Sequence, residues 1–279
     1  MISRRMVLAG GAALMALPLR AEAAARVLCL GGSLTETVFA LGAAARLIAR
    51  DTTSTYPAET SALPDVGYLR ALSAEGVLAM APDLILAEND AGPPEVVDVL
   101  KKSGIRWVTV GDNHTPDAVV SKIMTVAAEL DLDATALATA VQSELDEVKA
   151  KATALTDTNR KRVLFVLSAQ GGKIMAGGAA TSADGMITLA GGMNAAAEVH
   201  GFKPMSDEAI LMARPDVILM MDRAGDHAMT NADLFALPAL ATSPAAKNDA
   251  IVRMDGLYLL GFGPRTGRAA LDLHTALYG

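Results

Sequence analysis

Tyr68-Leu69-Arg70 follows Gly67 and places a phenol two residues from a guanidinium. In an extended segment side chains alternate, so the two groups would lie on the same side of the chain. A phenolate is an anionic oxygen donor of the kind that ligates ferric iron. Free tyrosine titrates near pH ~10, so a phenolate at neutral pH needs a nearby positive charge, and Arg70 can supply it by hydrogen-bonding the oxygen. A tyrosine in a glycine-containing loop also serves as a half-buried packing residue, and spacing leaves both readings open. Arg223 follows the apolar run Val217 to Met221. It falls where a cleft-facing loop is expected, able to pair with an anionic group or to sit solvated beside Asp222 and Asp226. The chain has no G-x-S-x-G elbow, no H-E-x-x-H and no Walker lysine loop, so the expectation is a binder and not an enzyme.

The elements that would carry these residues alternate between short apolar runs and amphipathic stretches, which is the grammar of an α/β fold. Strands are expected at Val27–Leu30, Leu84–Leu86, Trp107–Val110, Val163–Leu167 and Val217–Met221, and a first helix over Leu34–Leu41. The stretch from Ser73 to Leu86 aligns without a gap on Ser206 to Leu219. Each copy reads as a serine cap, an acid in the first turn, a short helix, a Pro-Asp break and a strand. Two similar α/β lobes follow from that repeat. Between them, Asp133 to Leu155 lacks Gly and Pro and repeats Leu137, Val141, Leu145 and Val148 at helical spacing. The expected architecture is two lobes joined by a long rigid helix, with modest relative motion and a ligand cleft between them. The boundaries are 1–23 for a signal peptide, 24–115 for the first lobe, 116–157 for the helical connection and 158–279 for the second lobe.

The chain has 279 residues, 52% of them apolar, and a formal charge of −7. That supplies ample core and argues against nucleic acid as a partner. Arg4 and Arg5, the apolar stretch Met6 to Leu19 and Ala21-Glu22-Ala23 make an export signal, through the twin-arginine or the general route. Cleavage there removes three arginines and one glutamate, leaving a still more acidic, soluble periplasmic protein with no membrane anchor, expected to be a monomer. The single cysteine, Cys29, excludes an internal disulfide, lacks a lipoprotein box before it and reads as a buried strand residue.

Across nearly the whole mature chain the sequence resembles haemin-binding periplasmic proteins of ABC importers, in the helix-backbone class that also holds cobalamin and ferric-siderophore binders. The resemblance lies in Gly31-Gly32-Ser33-Leu34-Thr35-Glu36, the stretches from Asp51 to Pro57 and from Val66 to Glu75, Ala91 to Val96, and Asp255 to Arg265. It implies that the chain captures haem and delivers it to an ABC permease dimer, with cobalamin or a ferric siderophore as the alternative cargo. It also implies that Tyr68 is the axial ligand of the haem iron, that Arg70 supports it and that Arg223 can meet a propionate. Glu75 and Glu208 would pair with arginines on the two permease subunits, while the local alternative is helix N-terminal stabilisation of about 0.3–1 kcal/mol. Some relatives add a second-lobe histidine. Here the loop from Ser168 to Thr181 has none, and His200 and His227 lie in no ligand-like motif, so a single haem is expected.

Overall fold

The computed structural model describes residues 26–111, 113–222 and 229–279. The expected signal peptide, Arg223 and His227 lie outside them. The first lobe runs β1 (Val27–Leu30), α1 (Gly32–Ala40), β2 (Leu47–Arg50), α2 (Ala74–Ala79), β3 (Leu84–Glu88), α3 (Pro94–Lys102) and β4 (Arg106–Val110). Its strands form a parallel sheet in the order β2-β1-β3-β4. Val27, Leu28, Cys29 and Leu30 are all buried, as a strand covered on both faces must be, and so read as a continuous apolar run and not as an alternation. Burial pushes the Cys29 thiol far above its ordinary range, which leaves it without the thiolate that reacts. We expect no reaction of the folded protein with Ellman's reagent and one equivalent of thiol after denaturation; prompt labelling of the native chain would contradict this packing.

Two helices follow, α4 (Pro116–Glu129) and α5 (Thr135–Thr153). α4 begins on a Thr115 cap with proline in its first turn, a placement in which proline costs no hydrogen bond. It reaches both cores: Val126 packs in the first lobe, while Val119, Ile123 and Ala127 pack in the second. α5 is the long helix that the sequence pattern marks out. Val141, Leu145 and Val148 bury in the core of the second lobe alongside Leu273 and Leu277 of the C-terminal helix.

The second lobe continues with β5 (Arg162–Ser168), β6 (Met175–Gly177), α6 (Ser182–Leu189), β7 (Met193–Asn194), β8 (Phe202–Pro204), α7 (Asp207–Ala213) and β9 (Val217–Met221). After them come α8 (Asn231–Phe235), α9 (Pro238–Ala241), α10 (Pro244–Lys247), β10 (Ile251–Met254), α11 (Gly256–Leu260) and α12 (Thr266–Tyr278). The sheet order is β10-β9-β5-β6-β8, with β7 beside β5; β6 runs antiparallel to β5 and to β8. Gly267 lets α12 approach α5 closely, since a β-carbon there would stand 2.5 Å from Glu144 Cβ.

The duplication is physical as well as textual. Ser73 and Ser206 each accept the N–H three residues on, from Gly76 at 3.4 Å and Ala209 at 3.2 Å. Val77 and Ile210 are fully buried at matching places. The two short helices end on left-handed residues that are not glycine, Ala81 at φ 46° and Arg214 at φ 44°. Each following aspartate takes the N–H of an arginine that flanks or opens a central strand: Arg26 to Asp83 at 3.1 Å, Arg162 to Asp216 at 2.8 Å. Both arginine side chains donate to a carbonyl closing the short helix, Met80 and Ala213, at 2.7 Å in each lobe. Cations there complement the negative end of a helix.

Candidate functional site: the cleft between the lobes

A cleft of about 1210 Å³ opens between the lobes, walled by both of them. Small-molecule sites commonly hold about 300–1,000 Å³, so this one suits a large ligand. Most of the lining follows the carboxyl ends of strands: Gly32 after β1, Thr53 after β2, Asn89 and Asp90 after β3, Asn113 and His114 after β4, Met221 ending β9 and Leu257 after β10. Loops converge at that end of an open parallel sheet, which is where ligands bind in such folds.

Tyr68 and Arg70 lie together in this wall. The phenol is 43% exposed, and Arg70 Nη1 donates to Tyr68 Oη at 2.5 Å. Leu69, between them, is 1% exposed and anchors the segment in the core of the first lobe. Two backbone bonds tie this loop to the one after β3: Gly92 N–H to Leu69 O at 2.8 Å and Leu72 N–H to Gly92 O at 2.9 Å. That pairing brings Asp90 to Arg70, whose Nη2 donates to the Asp90 carboxylate. Burial opposes the Arg70 charge, but the Asp90 carboxylate and the Tyr68 phenol more than offset it and hold the guanidinium above its ordinary pKa. One arginine thus spans a phenol and a carboxylate through different nitrogens.

Apolar side chains cover much of the remaining wall: Leu167, Phe202, Met221, Leu257 and Leu260. Phe202 is 40% exposed and meets Phe165 at 6.1 Å between ring centroids. His114 lines the cleft in a left-handed conformation, φ 57°, with its ring 5.2 Å from that of Phe262.

Beneath the floor, the seam between lobes is polar. Lys122 of α4, 1% exposed, donates to Ser33 Oγ at 2.8 Å and lies 3.4 Å from Gly261 O; Ser33 in turn donates to Glu88 Oε1 at 2.6 Å. Farther along, Glu36 of α1 takes Arg265 Nε and Nη2 at 2.9 Å each and the Arg265 N–H at 3.2 Å.

Of the residues singled out from the sequence, Tyr68 and Arg70 are brought together in the cleft, and Arg223 lies outside the described residues. Glu75 and Glu208 are exposed on α2 and α7 and take no part in the cleft wall. His200 is exposed and bridges to Ala179, next to the lining residue Gly201. Asp90, His114 and Phe202 were not anticipated. Asp90 and His114 carry one available signal, a polar residue shortly after a predicted strand; Phe202 carries none.

The family model described as "Periplasmic binding protein" matches residues 27–257. A solved structure described as the periplasmic heme-binding protein BhuT in complex with two hemes is 39% identical, covering 90% of this chain and 97% of its own, with a TM-score of 0.85. The periplasmic heme-binding protein RhuT from Roseiflexus sp. RS-1, in apo form, is 37% identical over 91% of this chain and 98% of its own, also at 0.85. A vitamin B12-binding protein of Yersinia pestis is 27% identical over 234 residues, 84% of this chain and 81% of the relative.

Proposed function

The chain belongs to the periplasmic binding protein family and is a solute-binding protein of ABC import, and we propose that the solute it carries is haem. The observation that carries this reading is the Tyr68–Arg70 pair, its phenol open to a cleft large enough for a macrocycle, with apolar side chains among the polar ones of the remaining wall. Ferric haem takes an axial donor for its iron, for which a tyrosine oxygen is one established type, and apolar contact for its faces. Tyr68 would supply the first, with Arg70 donating a hydrogen bond to its oxygen; Phe202, Leu167, Met221, Leu257 and Leu260 would supply the second. Arg223 would meet a propionate. The heme-binding proteins named above, at 37–39% identity, support the same cargo.

Cobalamin is the specific rival, because a vitamin B12-binding protein is among the relatives. Its cobalt would not call for a tyrosinate. Titration of the apo protein with haemin and, separately, with cyanocobalamin tests the choice. We expect a haem spectrum with a tyrosinate charge-transfer band that saturates at one equivalent, and no retention of cyanocobalamin on desalting. Saturable cobalamin binding with haemin left free would replace the reading, and a haemin end point of two equivalents would replace the single-haem stoichiometry.

Delivery would follow at a permease dimer, with Glu75 and Glu208 each meeting a cationic side chain of one subunit. Residues 1–23 would carry the chain across the inner membrane and be removed.

A further inference from the structure

We propose that each docking acid works with an exposed apolar anchor one turn further along its helix: Leu78 beside Glu75 in the first lobe, and Leu211 with Met212 beside Glu208 in the second. This inference rests on the docking role proposed above for the two acids and adds what else the partner must recognise.

The anchors are set by the repeat. Positions three and four residues apart share one face of a helix, so Glu75 and Leu78 face the same way, as do Glu208, Leu211 and Met212. Between them Val77 and Ile210 turn inward and are fully buried. Leu78 is 36% exposed, Leu211 44% and Met212 82%. A single leucine at the surface is ordinary. Here an exposed leucine sits at the equivalent place of both lobes, each time with the acid on its own face and the same cap, core residue and left-handed terminus around it. Each leucine is partly packed on its own lobe, Leu211 in a groove with Ala239 and Pro244, and what remains exposed is apolar in both copies.

The occupant that fits is a dimeric membrane permease whose two subunits each present a cationic side chain beside an apolar socket. The duplicated patch demands a duplicated partner, the acids demand positive charge, and a leucine beside an exposed acid demands a surface that excludes water at one point and not over a broad face. Interfaces concentrate affinity in such a buried centre with a charged rim. The two halves are unequal, because Met212 stands where the first lobe has Ala79. The second lobe should therefore hold the permease more firmly.

The test uses the haem-loaded chain and its own permease–ATPase complex in nanodiscs, with binding read by biolayer interferometry at low and high salt. The variants are Leu78→Ser, the pair Leu211→Ser with Met212→Ser, Glu75→Gln and Glu208→Gln. Removing a buried leucine contact should weaken binding about tenfold, more for the Leu211–Met212 pair than for Leu78, with no loss of effect at high salt. The acid variants should weaken it at low salt and matter less at high salt. Haem spectra and melting curves should match the parent; should a serine variant melt early, Leu78→Lys and Leu211→Lys take its place at the same exposed positions. Leucine variants that bind like the parent while the acid variants weaken would overturn this inference and leave the docking role standing. Acid variants that bind like the parent would overturn the docking role, and the inference with it.

Discussion

Replacing Tyr68 with alanine is expected to abolish the charge-transfer band of bound haemin and to weaken binding by more than about 100-fold, while the melting temperature of the apo protein stays within a degree or two of the parent. The phenol is 43% exposed to the cleft and makes its side-chain bond to Arg70, so its loss leaves no cavity in the core. Groups that support a metal ligand typically contribute 10–100-fold to metal affinity, and the ligand itself should exceed that range. Arg70→Ala should fall inside it, keeping a weakened band because the donor oxygen survives. Asp90 separates orientation from charge. It holds Arg70 through Nη2 while Nη1 points at the phenol, so it orients the guanidinium and also draws on its charge. Asp90→Asn keeps an acceptor there and removes the competing anion; haemin should bind at least as tightly as to the parent. Asp90→Ala frees the side chain and should weaken binding. An unchanged spectrum and affinity in Tyr68→Ala would remove this tyrosine from iron ligation and with it the argument for haem over cobalamin.

How much of this was legible before any coordinates depends on the length of chain over which each signal is written. The strand Val217–Met221 was readable to the residue because it is buried on nearly every position and therefore apolar throughout. Strand β10, Ile251–Met254, passes unnoticed: it is an edge strand, partly buried along its length and interrupted by Arg253. The repeat predicted two lobes, and the lobes carry it down to a pair of matching left-handed residues. Its extension to Arg26 and Arg162 was invisible, because those residues precede the aspartates they meet, Asp83 and Asp216, by more than fifty positions. In the cleft, Tyr68 and Arg70 could be paired from their spacing, since two residues apart is a local relation. Asp90 joins them only because two loops are zipped by backbone hydrogen bonds around Gly92, and His114 and Phe202 reach the same wall from elements that no motif connects.

The most distant of these relations carries the second large effect. Glu36 and Arg265 stand 229 residues apart and join the lobes through two side-chain bonds and one from the backbone. The Glu36 side chain is 5% exposed and that of Arg265 27%. The guanidinium also lies over Tyr56 at 3.5 Å and over Tyr258 at 4.9 Å from the ring centres. Arg265→Ala would strand a carboxylate that has almost no access to water, and breaking a buried pair from one side costs about 3–5 kcal/mol. With Arg265 partly exposed, the lower end applies: about 3 kcal/mol, or a fall of roughly 6–12 °C in melting temperature for a chain of this size. Arg265→Lys should recover little, because an ammonium neither forks onto both oxygens nor stacks flat on a ring. Glu36→Gln in the Arg265→Ala background should restore much of the loss, since a neutral amide is far cheaper to leave buried than an anion. Thermal melts of the three variants decide the matter. Equal losses in Arg265→Ala and in the double variant would mean that the lobes are held by the close approach of Leu257 to Gly32 and by α4. Recovery in the double variant would assign the loss to the charge on Glu36, and so make this pair the electrostatic lock that fixes how the two halves of the cleft face one another.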